Sequence, residues 1–146
     1  MMVKRGFDLL VSATLLLLLG PLLLLIGIIV RLDSAGPALF RQERVGRHER
    51  PFRILKFRTM RSEPAPAGPL ITVAGDQRTT RAGRWLRATK LDELPQLINV
   101  LKGEMSLVGP RPEVPKYVAL YPPADRERVL SVRPGITDDA AVQFRD

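Results

Sequence analysis

The sequence predicts an α+β fold in which a small domain of short strands and helices follows an apolar N-terminal helix. From Leu9 to Val30 every residue is apolar, glycine or proline except Ser12 and Thr14, a pattern that predicts a membrane segment. Leu39 to Val45 and Phe52 to Met60 have the composition of two strands joined as a hairpin. Further along, apolar residues at helical spacing predict a packed helix.

The apolar run is long enough to cross a bilayer, but the central Gly20-Pro21 argues against a straight rod. As a helix it would reach ~33 Å at about 1.5 Å per residue, against a hydrocarbon core of roughly 30 Å. This length and the lack of an Ala-x-Ala site disfavour a signal peptide. Proline removes a helix donor, so a kinked spanning helix and a hairpin that returns to the same face both remain open. Basic residues flank both ends of the run, so the positive-inside rule does not choose an orientation.

Turn and helix signals divide the chain that follows. Asp33 to Pro37 predicts a turn, Gly46 to Arg50 the hairpin connection and Ser62 to Gly75 an exposed loop. Asp76 to Arg81 predicts a charged turn. Gly83 to Thr89 predicts an amphipathic helix near a surface, because a tryptophan and a leucine lie between arginines.

The best-defined helix is predicted to begin at Asp92 as its N-cap, with Pro95 in the first turn and Gly103 as the C-cap. Its packed face is a stripe of four apolar residues, Leu94, Leu97, Ile98 and Leu101. The segments after it predict a strand, two short helices and a turn, at Met105 to Val108, Glu113 to Tyr121, Pro123 to Val132 and Arg133 to Gly135.

Composition limits the class of partner. The formal net charge is +8, and basic residues are dense between Arg41 and Arg61. Basic residues beside a membrane segment attract anionic phospholipids. Nucleic acid is the rival partner, and we expect none, because aromatic residues are few and no nucleic-acid-binding module pattern occurs. The absence of cysteine excludes a disulfide framework and thiolate zinc, and a single histidine, His48, disfavours a histidine-based metal site.

Asp92-Glu93 and Pro110-Arg111-Pro112 are the residues that most suggest chemistry. A carboxylate at a helix N-terminus is kept ionised, and the same end of a helix attracts phosphate. A divalent cation would let both anions share that place, and Arg111, held by two prolines, can clamp a phosphate. These features predict phosphoryl chemistry. The alternative is a simple helix cap followed by a stiff surface turn.

The chain resembles the bacterial sugar transferases, in particular the small monotopic phosphoglycosyl transferases. The matching blocks cover nearly the whole chain in order: Lys4 to Asp8, Gly36 to Gln42, Lys56 to Met60, Asp76 to Arg78, Gly83 to Arg87, Leu91 to Gly103, Ser106 to Pro112 and Arg133 to Thr137. The resemblance implies transfer of a sugar 1-phosphate from a UDP-sugar to polyprenyl (undecaprenyl) phosphate, with release of UMP. This is the first membrane step in building many bacterial glycoconjugates.

The resemblance also implies roles for individual residues. Asp92 would attack the β-phosphate and form a covalent phosphosugar intermediate, and Glu93 would help to hold Mg²⁺, with Asp92 beside it as the second metal-binding carboxylate. Arg111 is the first candidate for binding substrate phosphate. Arg87 and Arg58 are further candidates, either for phosphate contacts or for fixing the loop.

For the membrane segment, the resemblance implies a re-entrant helix broken at Pro21, with both ends on the cytoplasmic face of the bacterial inner membrane. Lys4, Arg5 and Asp8 would lie at the level of the lipid headgroups; the alternative for them is simple flanking charge. The division is then a membrane anchor over residues 1–32 and a catalytic domain over residues 33–146. A homodimer is one open alternative for the oligomeric state.

Two departures from the family pattern stand out. Glu104 replaces a common aspartate, and the chain after Thr137 differs from the Gly-Trp-Ala-Gln-Val-Asn-Gly-Arg of many members. We therefore expect a catalytic domain shortened at its C-terminus. The alternative function is a membrane-tethered basic module that binds lipid or nucleic acid without catalysis.

Overall fold

The computed structural model describes residues 2–61 and 76–138. It has the mixed α+β architecture that the sequence predicts. The elements are α1 (Met2–Asp33), β1 (Leu39–Val45), β2 (Pro51–Phe57), α2 (Arg81–Thr89), α3 (Gln96–Lys102), β3 (Ser106–Val108), α4 (Pro115–Val118), α5 (Pro123–Leu130) and β4 (Gly135–Thr137). Short 3₁₀ turns lie at Arg47–Glu49 and Leu91–Glu93. The predicted loop at Ser62 to Gly75 lies outside the described residues.

β1 and β2 form the predicted antiparallel hairpin, in a register that pairs Phe40 with Lys56. β2 ends at Phe57 and not at Met60. The register pairs Phe57 with Leu39, the first residue of β1, and one more backbone hydrogen bond follows, from the Arg58 N–H to the Ala38 carbonyl at 2.9 Å. Met60 instead makes a single bridge to Thr79. The hairpin thus holds Lys56 near the end of β2, where the chain leaves the sheet.

β3 and β4 form a parallel pair in which Val108 lies opposite Thr137. The predicted turn at Arg133 to Gly135 is wrong at its last residue, since Gly135 begins a strand. A three-residue strand is too short to show alternation in the sequence. Gly135 packs so closely on Gly109 that a Cβ at Gly135 would lie 2.1 Å from the Gly109 nitrogen, so only glycine fits there without a shift of the backbone.

The Asp92–Glu93 pair does not cap α3, and that prediction is wrong. Lys90 has a left-handed backbone with φ of 59°, and the next three residues form a 3₁₀ turn in which the Glu93 N–H donates to the Lys90 carbonyl at 3.2 Å. α3 therefore begins only at Gln96. The predicted C-cap is confirmed, since Gly103 is left-handed with φ of 86°.

The short helices are found near their predicted positions, with different bounds. α4 begins at Pro115 and ends at Val118, and α5 begins at Pro123 and ends at Leu130. Proline suits the first turn because its missing N–H has no partner there. The predicted amphipathic helix is α2, which Thr80 caps by accepting a hydrogen bond from the Gly83 N–H at 2.9 Å.

α1 contacts the domain at both ends. Its buried residues are Asp8 and Ser12 near the start and Ile26 and Val30 near the end, with none between. It is long and apolar enough to cross a membrane. The helix runs unbroken through Pro21, since an internal proline removes one backbone hydrogen bond and need not end the helix. The break that the resemblance implies is therefore not seen as an interruption. The re-entrant path stays a prediction.

Asn99 joins α3 to β2 from a fully buried position. Its Oδ1 accepts a hydrogen bond from the Leu55 N–H at 3.0 Å, and its Nδ2 donates to the Arg53 carbonyl at 2.8 Å and to Glu104 Oε2 at 2.7 Å. A buried amide with satisfied partners on two elements fixes their relative position. Lys56, the next residue of β2, is thereby held in register with the turn before α3.

Candidate active site

The Asp92–Glu93 dyad lies in the 3₁₀ turn between α2 and α3, beside β2. Asp92 is 8% exposed, and the Glu93 side chain is 16% exposed. The left-handed backbone of Lys90 turns the chain into the dyad. Leu97, buried one turn later, anchors α3 beneath it. Two carboxylates are thus held side by side at the edge of the core.

Glu93 is held by two cations from separate segments. Lys56 Nζ lies 2.7 Å from Glu93 Oε1, and an Arg111 terminal nitrogen lies 3.4 Å from the same oxygen. Burial alone would raise the pKa of Glu93, but the charge and hydrogen bond of Lys56 outweigh it, and the net shift is downward. Glu93 is therefore ionised at neutral pH.

The carboxylate of Asp92 has different surroundings from that of Glu93. Among the residues that the structure describes, no lysine or arginine nitrogen lies within ion-pair distance of its carboxylate. Burial raises the pKa of Asp92 and the neighbouring charge of Glu93 adds to the rise, whereas the charges of Lys56 and Arg87 oppose it. A buried carboxylate without an ion pair keeps its oxygens available to attack an electrophile.

A shallow, open cleft lies beside Glu93 of the dyad. We call it the dyad cleft, and its walls include Arg44, Ile54, Lys56, Glu93, Arg111 and Ile136. Three cationic side chains thus lie around one carboxylate, so the lining carries a net positive charge that attracts an anion. This arrangement can bind a phosphate or diphosphate group, which accepts charge-assisted hydrogen bonds from lysine and arginine.

Arg44 fixes the segment that carries Arg111. One of its terminal nitrogens donates to the Pro112 carbonyl at 3.1 Å, and the other donates to Gln42 Oε1 at 2.6 Å. The Glu113 carboxylate lies 3.8 Å away. Burial lowers the pKa of Arg44, and Glu113 opposes the change. The Arg111 side chain itself is 56% exposed, so it is free to turn toward a ligand.

The dyad has the donor chemistry of a magnesium site. Mg²⁺ is usually held by one or two carboxylates, with substrate phosphates and water completing its shell. Both cation contacts of Glu93 go to Oε1, which leaves Oε2 available to a metal. No larger group of His, Cys, Asp or Glu side chains suited to a metal occurs in residues 2–61 and 76–138. Asp92 and Glu93 therefore fit Mg²⁺ that is shared with a phosphorylated substrate.

Two further predicted phosphate ligands, Arg87 and Arg58, are not among the residues that line the dyad cleft. Arg87 Nε donates to Thr59 Oγ1 at 2.9 Å, and its charge reaches Asp92. Arg58 is 4% exposed and donates to the Val30 carbonyl at the end of α1 and to the Ser34 carbonyl and hydroxyl. These contacts of Arg58 favour the alternative in which it fixes the loop. A phosphate contact for either arginine stays a prediction.

Lys4, Arg5 and Asp8 tie the start of α1 to the domain. Asp8 is 4% exposed and accepts a hydrogen bond from Ser106 Oγ at 2.8 Å. Lys4 contacts Ser106 Oγ and donates to the Val108 carbonyl at 3.1 Å. Arg5 donates to the carbonyl of Leu101 at the end of α3. These residues are more than flanking charge, because they attach α1 to the elements that follow the dyad.

Sequence reasoning did not single out Lys56 or Arg44 as site residues. Both belong to the basic stretch of the sequence, and Lys56 also begins one of the blocks that match the family. Their signal lies in the strand pairing, since directly opposed residues and alternate residues share one face of a hairpin. Arg44 lies opposite Phe52, which is four residues before Lys56 in β2, so both side chains belong to the same face. That inference requires the register of the hairpin, which the sequence did not supply.

A family model described as bacterial sugar transferase matches residues 1–146. The chain belongs to the bacterial sugar transferase family. Three relatives of this sugar transferase illustrate the family. It is 48% identical over 97% of its length to an undecaprenyl-phosphate glucose phosphotransferase of Komagataeibacter xylinus, covering 28% of that protein. It is 46% identical over 96% to a UDP-glucose:undecaprenyl-phosphate glucose-1-phosphate transferase of Caulobacter vibrioides, covering 53% of it.

The third relative is a UDP-N-acetylgalactosamine-undecaprenyl-phosphate N-acetylgalactosaminephosphotransferase of Aeromonas hydrophila, 43% identical over 96% of this chain and 34% of the relative. The chain thus spans between roughly a quarter and a half of the length of these proteins. Their names describe transfer of a sugar phosphate to undecaprenyl phosphate. The alternative of a basic binding module without catalysis finds no support among them.

Proposed function

We propose that this sugar transferase moves a sugar 1-phosphate from a UDP-sugar to undecaprenyl phosphate and releases UMP. The proposal rests on a difference between the surroundings of the two carboxylates. Glu93 is held by Lys56 and Arg111, whereas Asp92 is buried and forms no ion pair with any residue that the structure describes. Such a pair divides the work between an anchored carboxylate and a nucleophile.

In the first step, a carboxylate oxygen of Asp92 attacks the β-phosphorus of the donor. A new bond forms between that oxygen and phosphorus, and the bond from the β-phosphorus to the oxygen bridging it to the α-phosphate breaks. The bridging oxygen keeps the electron pair and leaves as part of UMP. No proton transfer is required when Asp92 attacks as the carboxylate, and UMP leaves as an anion.

In the second step, a phosphate oxygen of the acceptor attacks the same phosphorus. The bond to Asp92 breaks, the carboxylate returns to its starting form, and a polyprenyl diphosphate sugar is released. Two displacements replace one direct reaction between a bulky lipid phosphate and a nucleotide sugar. Each step is assisted by cations already in place, since Lys56 and Arg111 line the dyad cleft.

Asp92 and Glu93 would hold Mg²⁺, whose charge offsets the repulsion between carboxylate and diphosphate and stabilises the departing UMP oxygen. The contribution of the chain is to keep Glu93 ionised and oriented through Lys56. Arg111, set between two prolines and fastened by Arg44, would bind a phosphate oxygen of the donor.

We also propose that α1 is a re-entrant anchor and that the domain lies on the cytoplasmic face of the membrane. Two observations support this topology. Both ends of α1 contact the same domain, through Asp8 and Ser106 at one end and through Val30 and Arg58 at the other. No residue between Ser12 and Ile26 is buried, so the middle of the helix is left for lipid.

α2 supplies a second contact with the membrane in this arrangement. It packs on α1, and Trp85 is 52% exposed, directly after the exposed Arg84 and one turn after the exposed Arg81. Tryptophan and arginine are suited to the headgroup region. The anchor over residues 1–32 and the catalytic domain over residues 33–146 would then meet at the lipid surface, where anionic phospholipids bind the basic residues.

The test is to incubate the detergent-solubilised chain with Mg²⁺, undecaprenyl phosphate and a panel of UDP-sugars, and to measure UMP separately from UDP. We expect UMP with at least one donor, with a loss of at least 1,000-fold in Asp92→Asn. Asp125→Asn, an exposed carboxylate on α5, is the matched control and should keep full activity. UDP as the product would indicate ordinary glycosyl transfer and contradict the mechanism.

A further inference from the structure

A second, open cleft is lined in part by the Pro110-Arg111-Pro112 segment. We call it the apolar cleft. Its walls are formed by side chains from the end of β1, from α4 and α5 and from the segments beside them, including Val45, Tyr121, Val129 and Val132. Val132 is 42% exposed at its rim. None of the steps described above uses this cleft.

The two clefts share a wall. Arg111 and Pro112 line both the dyad cleft and the apolar cleft. A ligand that fills both must therefore carry an anionic group next to a flat or apolar group, with Arg111 at the junction. A nucleoside diphosphate meets that description, since its phosphates suit the dyad cleft and its base and ribose suit the apolar cleft.

We propose that the apolar cleft binds the nucleoside part of the donor, with the uracil ring against Tyr121 and the diphosphate passing Arg111 to reach the dyad. This inference rests on the proposed function, because it assumes a uridine nucleotide as donor. It assigns nucleotide recognition to Tyr121, Val129 and Val132, which sequence reasoning had not linked to the site.

The chemistry of the cleft suits a pyrimidine. The half-buried ring of Tyr121 offers a flat face for stacking, which is favourable for any base. Burial raises the pKa of Tyr121 and the charge of Glu113 adds to it, so the phenol stays a hydrogen-bond donor. Glu113 also lines the cleft, and its carboxylate can accept a hydrogen bond from the ring N–H of uracil.

The position of the cleft argues against the lipid tail of the acceptor as its occupant. The main contacts of α1 are with α2, α3 and β3. The apolar cleft is instead built on α4, α5 and the end of β1. A polyprenyl chain that reaches the dyad from the bilayer would approach along the elements that touch α1. The soluble nucleotide would therefore enter the dyad cleft from the side that adjoins the apolar cleft.

The experiment measures binding of UDP and of inorganic diphosphate to the detergent-solubilised full chain by calorimetry in the presence of Mg²⁺. The unmodified chain is expected to bind UDP at least 10-fold more tightly than inorganic diphosphate. Val132→Trp, which fills the cleft from its rim, is expected to weaken UDP at least 10-fold and diphosphate less than twofold. Leu120→Trp is the matched control, because Leu120 is 74% exposed and does not line the cleft.

Tyr121 provides an independent pair of variants in case Val132→Trp disturbs the fold. Tyr121→Ala is expected to weaken UDP about 10-fold, whereas Tyr121→Phe keeps the ring and should stay within about threefold. Equal affinity of the unmodified chain for UDP and diphosphate, or equal weakening of both by Val132→Trp and Tyr121→Ala, would overturn the inference. A raised KM for undecaprenyl phosphate with unchanged UDP binding would also overturn it and assign the cleft to the acceptor.

If the proposed function itself is wrong, the activity assay gives a different result. In that case the unmodified chain releases no UMP from any donor, whatever its affinity for UDP. An active chain whose cleft variants bind UDP normally would instead refute the nucleoside site alone.

Discussion

Lys56 Nζ lies 2.7 Å from Glu93 Oε1, in an ion pair that joins the end of β2 to the 3₁₀ turn carrying the dyad. Both side chains are mostly buried, at 19% and 16% exposure. The pair therefore has lower solvent screening than a surface salt bridge. Asn99 supports it from below by fixing β2 against α3. The hairpin is thus part of the candidate active site as well as part of the scaffold.

Lys56→Met should lower kcat/KM for UMP release by at least 10-fold, equivalent to about 1.4 kcal/mol of transition-state stabilisation. The reason is that Glu93 loses its closest cation and the dyad cleft loses one of three positive charges. Lys116→Met, an exposed lysine on α4, is the control for loss of a charge and should remain within twofold. Normal activity in Lys56→Met would show that the ion pair has only a structural role.

Substitutions of Asp92 and of Glu93 should impair the reaction in different ways. With donor alone, intact-protein mass spectrometry should detect a phosphosugar adduct on the unmodified chain and none on Asp92→Asn. Glu93→Gln should still form the adduct, but at a Mg²⁺ concentration raised about 10-fold, because a neutral amide is a weaker ligand for a hard cation. Identical Mg²⁺ requirements for Glu93→Gln and the unmodified chain would contradict the assigned metal role.

Arg44→Ala should raise KM for the UDP-sugar about 10-fold while kcat changes by less than about threefold. Its hydrogen bond to the Pro112 carbonyl positions Arg111 without making Arg44 part of the reacting centre, and a hydrogen bond to a charged group contributes roughly 1.5–3 kcal/mol. Arg44→Lys should recover only part of the loss, since an ammonium cannot reproduce the two-sided contact with Gln42 and Pro112. Equal losses in kcat and KM would place Arg44 in direct contact with the transition state.

Gly135→Ala should destabilise the fold by about 1–3 kcal/mol or more. The added methyl group would meet the Gly109 backbone at 2.1 Å and force β3 and β4 apart. Gly6→Ala is the matched control, because no atom lies within 4 Å of the position that its Cβ would occupy. Thermal unfolding of both variants in the same detergent provides the comparison. An unchanged midpoint for Gly135→Ala would mean that the strand pair adjusts.

The proposed re-entrant topology predicts that both ends of α1 are accessible from the cytoplasm. The chain contains no cysteine, so Val3→Cys and Asp125→Cys each introduce a unique site for labelling. An impermeant maleimide should label neither in spheroplasts and both after permeabilisation. Pro21→Leu should straighten α1 and expose the N-terminal site to external label. External labelling of Val3→Cys without Pro21→Leu would refute the re-entrant anchor.

The sequence predicted which residues form the candidate site better than it predicted their backbone conformation. The pattern around Asp92 predicts the dyad as a candidate site, because adjacent carboxylates and a proline-flanked arginine are visible without a structure. It did not show that Asp92 lies in a 3₁₀ turn, since the left-handed backbone at Lys90 depends on packing rather than on the residue type. Lys56 and Arg44 were missed for a similar reason. Their meeting at Glu93 and Pro112 depends on long-range register, which no local pattern encodes.

The attachment of α1 at both of its ends has a kinetic consequence. A domain joined to its anchor by one flexible linker would sample a hemisphere above the bilayer, whereas two points of attachment fix the height and tilt of the dyad. With α1 in the membrane, the search for the acceptor becomes a two-dimensional process at constant distance from the lipid surface. The rate should then follow the mole fraction of undecaprenyl phosphate within the surface, and diluting the acceptor with inert lipid should slow the reaction at constant bulk concentration.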